Sequence, residues 1–195
     1  MKPTVLVAVT VTLAGCLSPR SDPSQFFLLT PTTEPAAATA STNNLSLGVG
    51  PVTLPTYLDR PQMVTRMGPN QVAISEADRW AESLQDNFTG ALARNLAVLL
   101  GTERVVTYPW YNTVELDYAV SVNVLRFERD SLGVAHLRVL WELRDGVTGE
   151  GSGVRETSLT EAAASAETSA SVAALSRGLE AVSREIVAAI QGRNR

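Results

Sequence analysis

Apolar and polar side chains alternate most clearly along residues 117–127, DYAVSVNVLRF. Successive side chains of a β-strand point to opposite faces of a sheet, so this pattern predicts a strand with one buried face. The two predicted faces are Tyr118, Val120, Val122 and Val124 on one side and Ala119, Ser121, Asn123, Leu125 and Phe127 on the other. Such a strand needs neighbouring strands and a covering layer, because it cannot bury its apolar face alone.

Shorter apolar runs predict the neighbouring strands. Residues 136–143 alternate and are followed by the turn RDGVTGEG and by residues 152–159, which together predict a hairpin. In the 136–143 strand, His136 lies on the polar face, where we expect a surface side chain. The other predicted strands are 26–29, 45–50 with an extension past a bulge through 52–54, 71–74 and 104–108.

Two segments carry the spacing of amphipathic helices. The first is predicted to begin at SEAD, residues 75–78, which resembles a capping box, and to end at Gly101. At about 1.5 Å per residue it would be ~35 Å long. The second is predicted over about 165–191, with apolar residues spaced alternately by three and four. That spacing suits either a heptad seam for self-association or a helix packed on its own sheet, and we favour the sheet. The two stripes are Trp80, Leu84, Phe88, Leu92, Leu96 and Leu100, then Val172, Leu175, Leu179, Val182, Ile186 and Ala189.

These elements predict an α+β fold. The chain has 195 residues, 45% of them hydrophobic, which is enough for one domain with a substantial core. The expected architecture is a single domain in which two long helices pack on one face of a mixed, mostly antiparallel sheet.

The N-terminus indicates export and lipidation. Lys2 precedes a short apolar segment, residues 4–13, about half as long as the ~20 residues of a membrane span. It ends in LAGC, which resembles a bacterial lipobox, and Cys16 is the predicted lipidation site. We therefore predict a cleaved signal peptide at 1–15, a lipidated tether at 16–25 and a domain at 26–192 with a flexible loop at 30–44. The alternative is an ordinary secretory signal in which the cysteine has no role.

Several function classes lack the residues they need. The only lysine is Lys2, the only histidine His136 and the only cysteine Cys16, which argues against metal sites and Cys/His catalysis. Lysine and arginine number 16 against 20 acidic residues, so nothing resembles a basic nucleic-acid surface. We expect no enzyme activity, no cofactor, no metal and no nucleic-acid partner.

Residues 54–66, LPTYLDRPQMVTR, form an unusual segment. Pro55 and Pro61 flank an aromatic, an acid and a base, a combination that predicts a proline-braced loop. In one interpretation the loop only holds its own shape, with the Tyr57 ring packed and the Asp59 carboxylate bonded to backbone amides. In the other, Tyr57, Leu58 and Arg60 contact a partner, since aromatic and arginine side chains dominate interface energetics.

The lipobox, FFLL at 26–29, VGPVTLPTYLDRPQMVTR at 49–66 and RWAESLQDNF at 79–88 together resemble the PqiC family of ABC-type transport auxiliary lipoproteins. One departure is Phe26-Phe27, where tyrosines are common in the family. The family motif places these residues among the candidate partner-binding positions: Tyr57, Leu58, Asp59, Arg60, Pro61 and Trp80.

The resemblance implies a non-enzymatic lipoprotein. It implies an anchor at the outer membrane of a Gram-negative host, facing the periplasm, with MCE-domain or ABC transporter proteins as partners and the possibility of homo-oligomers. Leu17, rather than aspartate, after the cysteine agrees with the outer membrane. Two alternatives stay open: a stand-alone structural or self-assembling envelope lipoprotein, and a lipid-handling enzyme with a deep pocket ringed by carboxylates.

Overall fold

Eight strands and two helices form within the residues that the computed structural model describes, which are 23–32, 44–110 and 115–193. The strands are β1 (Gln25–Phe27), β2 (Leu47–Thr53), β3 (Gln62–Gly68), β4 (Gln71–Trp80), β5 (Val105–Thr107), β6 (Tyr118–Asp130), β7 (Val134–Asp145) and β8 (Arg155–Ala162). The helices are α1 (Leu84–Leu100) and α2 (Thr168–Arg193). The predicted signal peptide and Cys16 lie outside the described residues.

All eight strands belong to one mixed sheet with β6 at its centre. β7 pairs antiparallel along one side of β6, and β8 pairs antiparallel with β7. On its other side β6 pairs in parallel with β2 and, nearer its end, with β3. β5 extends the sheet beyond β2, while β4 and then β1 extend it beyond β3. The predicted α+β class and mixed sheet are confirmed. The sheet is less antiparallel than predicted, since four of the seven strand pairings among the described residues are parallel, although the longest ladders are antiparallel.

The two helices pack against each other and against the sheet. α1 lies over β2 and β5, and α2 lies over β6, β7 and β8. The apolar seam of α2 is therefore used by the chain's own sheet, as favoured from its sequence. The fully buried side chains of this core include Phe88, Leu92, Leu96, Val120, Val139, Leu143, Leu179, Val182 and Ile186.

The prediction for the start of the first helix is wrong. Residues 75–78 belong to β4, which runs on to Trp80, and α1 begins only at Leu84. The amide of Asp78 does donate to the Ser75 hydroxyl at 2.9 Å, so the local capping contact forms without a helix. The helix is capped by Ser83, whose hydroxyl accepts from the Asp86 amide at 3.1 Å. Its 17 residues span about 25 Å, not 35 Å.

The end of α1 matches the prediction. Gly101 has φ +65°, the left-handed conformation that suits glycine at a helix C-terminus. Its amide bonds to the Val98 carbonyl and the Thr102 amide bonds to the Ala97 carbonyl, which satisfies the last turn.

Phe127 lies on the opposite face of β6 from the one predicted. The pairing of β6 with β7 shifts register between Val124 and Arg126, and this bulge moves later residues to the other face. Phe127 therefore points into the helix-covered core, where its ring meets Phe88 edge-on at 5.3 Å. Glu128, the next residue, points to the face of the sheet away from the helices.

The start of the predicted flexible loop is attached to α2. The Thr30 amide donates to the Ser176 hydroxyl at 3.2 Å and the Thr32 hydroxyl donates to Glu180 at 2.6 Å. Residues 33–43 lie outside the described part, so flexibility of the loop stays a prediction.

Candidate functional site

The site is built around the proline-braced loop, defined here as residues 54–61. Within it the Leu58 amide donates to the Pro55 carbonyl at 2.9 Å and the Arg60 amide to the Leu58 carbonyl at 2.8 Å. These tight turns end at Pro61, whose carbonyl accepts from the Trp80 amide at 2.7 Å. The stretch predicted as a loop is therefore a turn only as far as Pro61, since β3 begins at Gln62.

Glu128 holds this loop to the sheet. One carboxylate oxygen accepts from the Tyr57 hydroxyl at 2.8 Å, and the other accepts from Nε of Arg66 at 2.7 Å and of Arg126 at 2.9 Å. The Glu128 side chain is fully buried, so its charge depends on these donors. The Arg66 guanidinium also lies 5.6 Å from the centre of the Tyr57 ring. We call Tyr57, Arg66, Arg126 and Glu128 the glutamate clamp.

The clamp is accompanied by opposite pKa shifts, upward for Tyr57 and downward for Glu128. Burial of the phenol and its hydrogen bond to Glu128 raise the pKa of Tyr57 to about 12. Burial raises the pKa of the Glu128 carboxyl, but the hydrogen bonds from Arg66, Tyr57 and Arg126 outweigh burial and bring its pKa below the ordinary 4.5. The phenol therefore stays protonated as a donor, and the carboxylate stays ionised as its acceptor. The hydrogen bond between them has a structural role.

The stabilisation that Glu128 provides should depend on pH. Because its folded-state pKa lies below its unfolded value of 4.5, that stabilisation is fully present above pH 4.5 and is lost as the pH falls through the folded-state pKa. We expect the difference in free energy of unfolding between the wild type and Glu128→Gln to be constant near neutral pH and to shrink in acid. Urea titrations at a series of pH values measure this difference in free energy. The contributions of the other carboxyl groups to its pH dependence cancel, because both proteins carry those groups. A difference that persists unchanged in strong acid would contradict the assignment.

The motif residues divide into buried and exposed groups. Leu58 and Trp80 are 3% and 6% exposed, so their side chains belong to the core in this conformation. Tyr57 is half-buried and engaged by Glu128. Asp59 and Pro61 are exposed and Arg60 is half-buried, so these three side chains are the ones the loop presents outward. Nε of Arg60 is shielded from solvent and has no hydrogen-bond partner within the described residues.

Sequence reasoning missed Glu128, the residue on which the loop depends. An acid in an apolar strand between two arginines, in RFERD, was the available signal. The strict alternation from Tyr118 would have placed this acid on the apolar face and so marked it as unusual. Its partners Tyr57 and Arg66 lie 71 and 62 residues earlier, a separation that no local pattern bridges.

Two cavities lined by described residues bear on the alternative of a lipid-handling enzyme. Beneath the loop, Leu58, Trp80, Phe127 and Leu175 line a cavity of about 30 Å³, whereas ligand pockets typically hold ~300–1,000 Å³. A wider cleft of about 850 Å³ does contain acids, at the end of the sheet that includes Asp117 and Asp145.

The acids of that cleft have structural partners. The Asp117 carboxylate accepts from the Ser46 amide at 2.6 Å and from the Ser46 hydroxyl at 2.9 Å. The Asp145 carboxylate accepts from the amides of Val147 and Thr148 at 2.9 and 2.8 Å. The Asp117 carboxylate therefore joins the chain before β2 to the chain before β6, and the Asp145 carboxylate stabilises the turn after β7.

His136 is half-buried rather than fully exposed. Its Nε2 lies 2.8 Å from the carboxylate of Asp130, at the turn between β6 and β7. In the described part of the chain, no three His, Cys, Asp or Glu side chains lie together as a metal site would require. Neither α1 nor α2 combines the length and hydropathy of a membrane span.

Fold and site together describe an α+β domain in which Glu128 and the core hold one short loop against the sheet. Sequence comparison matches residues 27–187 to the ABC-type transport auxiliary lipoprotein components, and the chain belongs to this family. Members of that family are auxiliary components of transport systems, and it is not an enzyme family. Its lipoprotein character fits a location in the cell envelope.

Two crystal structures share the fold. One, of an uncharacterized protein, has a TM-score of 0.71 at 20% identity, and the alignment covers 86% of this chain and 98% of that one. The other, from Xanthomonas campestris and assigned to DUF330, has a TM-score of 0.65 at 20% identity and covers 84% and 92%. Among curated protein sequences, none matches this chain.

Proposed function

We propose that this protein is the non-enzymatic, membrane-anchored auxiliary component of an ABC/MCE-type lipid transport system that maintains the envelope. A lipid on Cys16 tethers the domain to the periplasmic side of the outer membrane in a Gram-negative host. Residues 1–15 act as the signal peptide and 16–25 as the tether. The family match supports the transport role, and LAGC followed by Leu17 supports the anchor.

The docking role is supported by a difference among the side chains at the proline-braced loop: some are held by the protein itself, and others face outward. Glu128 and the core fix the loop through Tyr57, Leu58 and Trp80, while Asp59, Arg60 and Pro61 face outward. A rigid loop loses little conformational entropy when a partner binds. The Arg60 side chain is partly exposed, and an arginine on such a loop suits a carboxylate or a backbone carbonyl of the partner.

We expect Arg60→Ala to weaken recovery of an MCE-domain or ABC transporter protein about tenfold or more, as loss of an interface arginine costs ~2 kcal/mol. The free energy of unfolding should change little, because Arg60 makes no side-chain hydrogen bond within the described residues. The measurement is affinity capture of the tagged, lipidated protein from detergent-solubilised membranes of its host, followed by quantitative mass spectrometry.

The matched control is Arg144→Ala, which removes an arginine that is 60% accessible at the opposite end of the β6–β7 ladder from Glu128, where Arg144 pairs with Ala119. Equal recovery by both variants and the wild type would remove the docking role of the loop. Recovery of the protein alone, with no transport protein, would favour the stand-alone structural lipoprotein. Cys16→Ser tests the anchor separately: partition with membranes that is the same as for the wild type would contradict lipidation.

A further inference from the structure

The tip of the β3–β4 hairpin exposes apolar side chains without any charge. Met67, Val72 and Ile74 are 48%, 37% and 45% exposed, and residues 67–75 include no charged side chain. Leu132, 87% exposed in the β6–β7 turn, lies at the same end of the sheet because Arg66 of β3 pairs with Asp130 of β6. A shallow cleft lined by Met67, Ile74 and Leu132, and also by Arg129 and Asp130, joins the two turns. We call Met67, Val72, Ile74 and Leu132 the apolar tip.

The edge of the sheet beside the tip is also open. β4 pairs with β3 on one side, but on its other side β1 pairs only with Asp78–Trp80. Within the described residues, the outer edge of 71–77 therefore has no strand beside it. Unpaired backbone groups need water or a polar surrounding, so this edge suits the headgroup region of a bilayer and not its hydrocarbon core.

The described start of the chain points toward the same end. β1 runs parallel to β4, with Gln25 opposite Asp78, so the chain enters β1 from the side on which β4 begins. Cys16 precedes Pro23 by seven residues, a reach of at most about 24 Å. Along β4, the seven residues from Asp78 back to Gln71 span about 23 Å. The anchor can therefore reach the level of the apolar tip.

The opposite end of the domain has a different surface. The β7–β8 turn at that end includes Asp145 and Glu150, and α2 also ends there, since Arg193 donates to the Leu143 carbonyl. β8 ends at the tip end of the sheet, where Ala162 pairs with Val134 beside the β6–β7 turn, and α2 follows it along the chain. The 26 residues of α2, about 39 Å in length, run from there toward the opposite end.

We propose that the apolar tip rests in the headgroup region of the phospholipid bilayer that holds the Cys16 anchor, so that the domain stands with its β7–β8 turn away from the membrane. This inference rests on the lipidation in the proposed function. The four side chains of the apolar tip gain by burial at this depth, about 5–10 Å into the headgroup and acyl boundary, while Arg129 and Asp130 beside them suit the polar headgroups. The contact orients the proline-braced loop relative to the membrane instead of leaving the domain to rotate on its tether.

The test uses the full-length lipidated protein in vesicles of phosphatidylethanolamine and phosphatidylglycerol. Ile74→Cys and Leu132→Cys are each labelled with an environment-sensitive thiol dye, since the single native cysteine is occupied by lipid. Val147→Cys, whose position is 86% exposed in the β7–β8 turn, is the matched control for Leu132. Phe26→Cys, at a position 65% exposed on β1, probes the other apolar surface close to the tether.

We expect brominated phospholipid to quench the dyes at positions 74 and 132 several-fold more strongly than the dye at position 147. Quenching no stronger than at 147, or protection from water without quenching by lipid, would overturn the membrane contact; the second result would indicate a protein neighbour. Strong quenching at 26 in place of 74 and 132 would also overturn it. If the protein does not float with the vesicles at all, the lipidation in the proposed function is contradicted. If it floats but the dyes are not quenched, only the membrane contact of the apolar tip is contradicted.

Discussion

Glu128→Ala is expected to lower the free energy of unfolding by about 3 kcal/mol, as removal of one member of a buried charge cluster strands the others. Tyr57, Arg66 and Arg126 all donate to this carboxylate, and it is fully buried. The expected loss is at the lower end of the usual range, because Arg66 and Arg126 remain 24% and 31% exposed and can turn to water. Urea denaturation at neutral pH measures the change.

The matched control for the clamp is the Arg138–Glu156 pair, which has a similar 2.7 Å distance but lies 52% and 44% exposed. Glu156→Ala should change stability little, because solvent screens exposed ion pairs. A second check is coupling: Tyr57→Phe should cost clearly less in the Glu128→Ala background than in the wild type. Additive effects of Tyr57→Phe and Glu128→Ala would show that the hydroxyl does not act through the carboxylate.

Phe88→Ala is expected to be the most destabilising of the proposed substitutions, by about 4 kcal/mol, since it leaves a cavity where a large ring was buried. Phe88 is 0% exposed on α1 and meets Phe127 of β6 edge-on, so its ring joins helix and sheet. The change should appear as a lower midpoint in urea with an unchanged denaturant slope.

Phe26→Ala is the control for the loss of Phe88, because it removes the same ring from a position that is 65% exposed. Its effect should stay within about 0.5 kcal/mol. Equal costs for Phe26→Ala and Phe88→Ala would contradict the burial that the structure gives to α1.

The start of α1 shows why a local signal can mislead. SEAD and SLQD both place an acid three residues after a serine, and both serines do accept from the expected amide. Only Ser83 precedes a helix. Residues 75–78 form a bulge between Ile74 and Arg79, which pair with Val64 and Gln62 of β3. Asp78 also pairs with Gln25 of β1, and the Trp80 amide donates to the Pro61 carbonyl. Propensity is a weak preference that strand pairing overrides.

The candidate site was predictable in position but not in structure. The motif in residues 54–66 located the loop, and the family match covers it. The sequence left open whether Tyr57 holds the loop or meets a partner. In the structure the Tyr57 hydroxyl donates to Glu128, while Asp59, Arg60 and Pro61 remain the residues proposed to contact a partner.

The sequence by itself determined the local periodicities: the two-residue repeat of β6, the three-and-four spacing of α2, and the glycine that ends α1. These follow from the covalent geometry of strands and helices, so they can be read without knowing the neighbours. Tertiary structure alone decided the bulge after Val124, which puts Phe127 in the core and Glu128 beneath the loop. The physical reason is that side chains more than sixty residues apart meet there, and the burial of one charge is tolerated only once all its donors have been brought together.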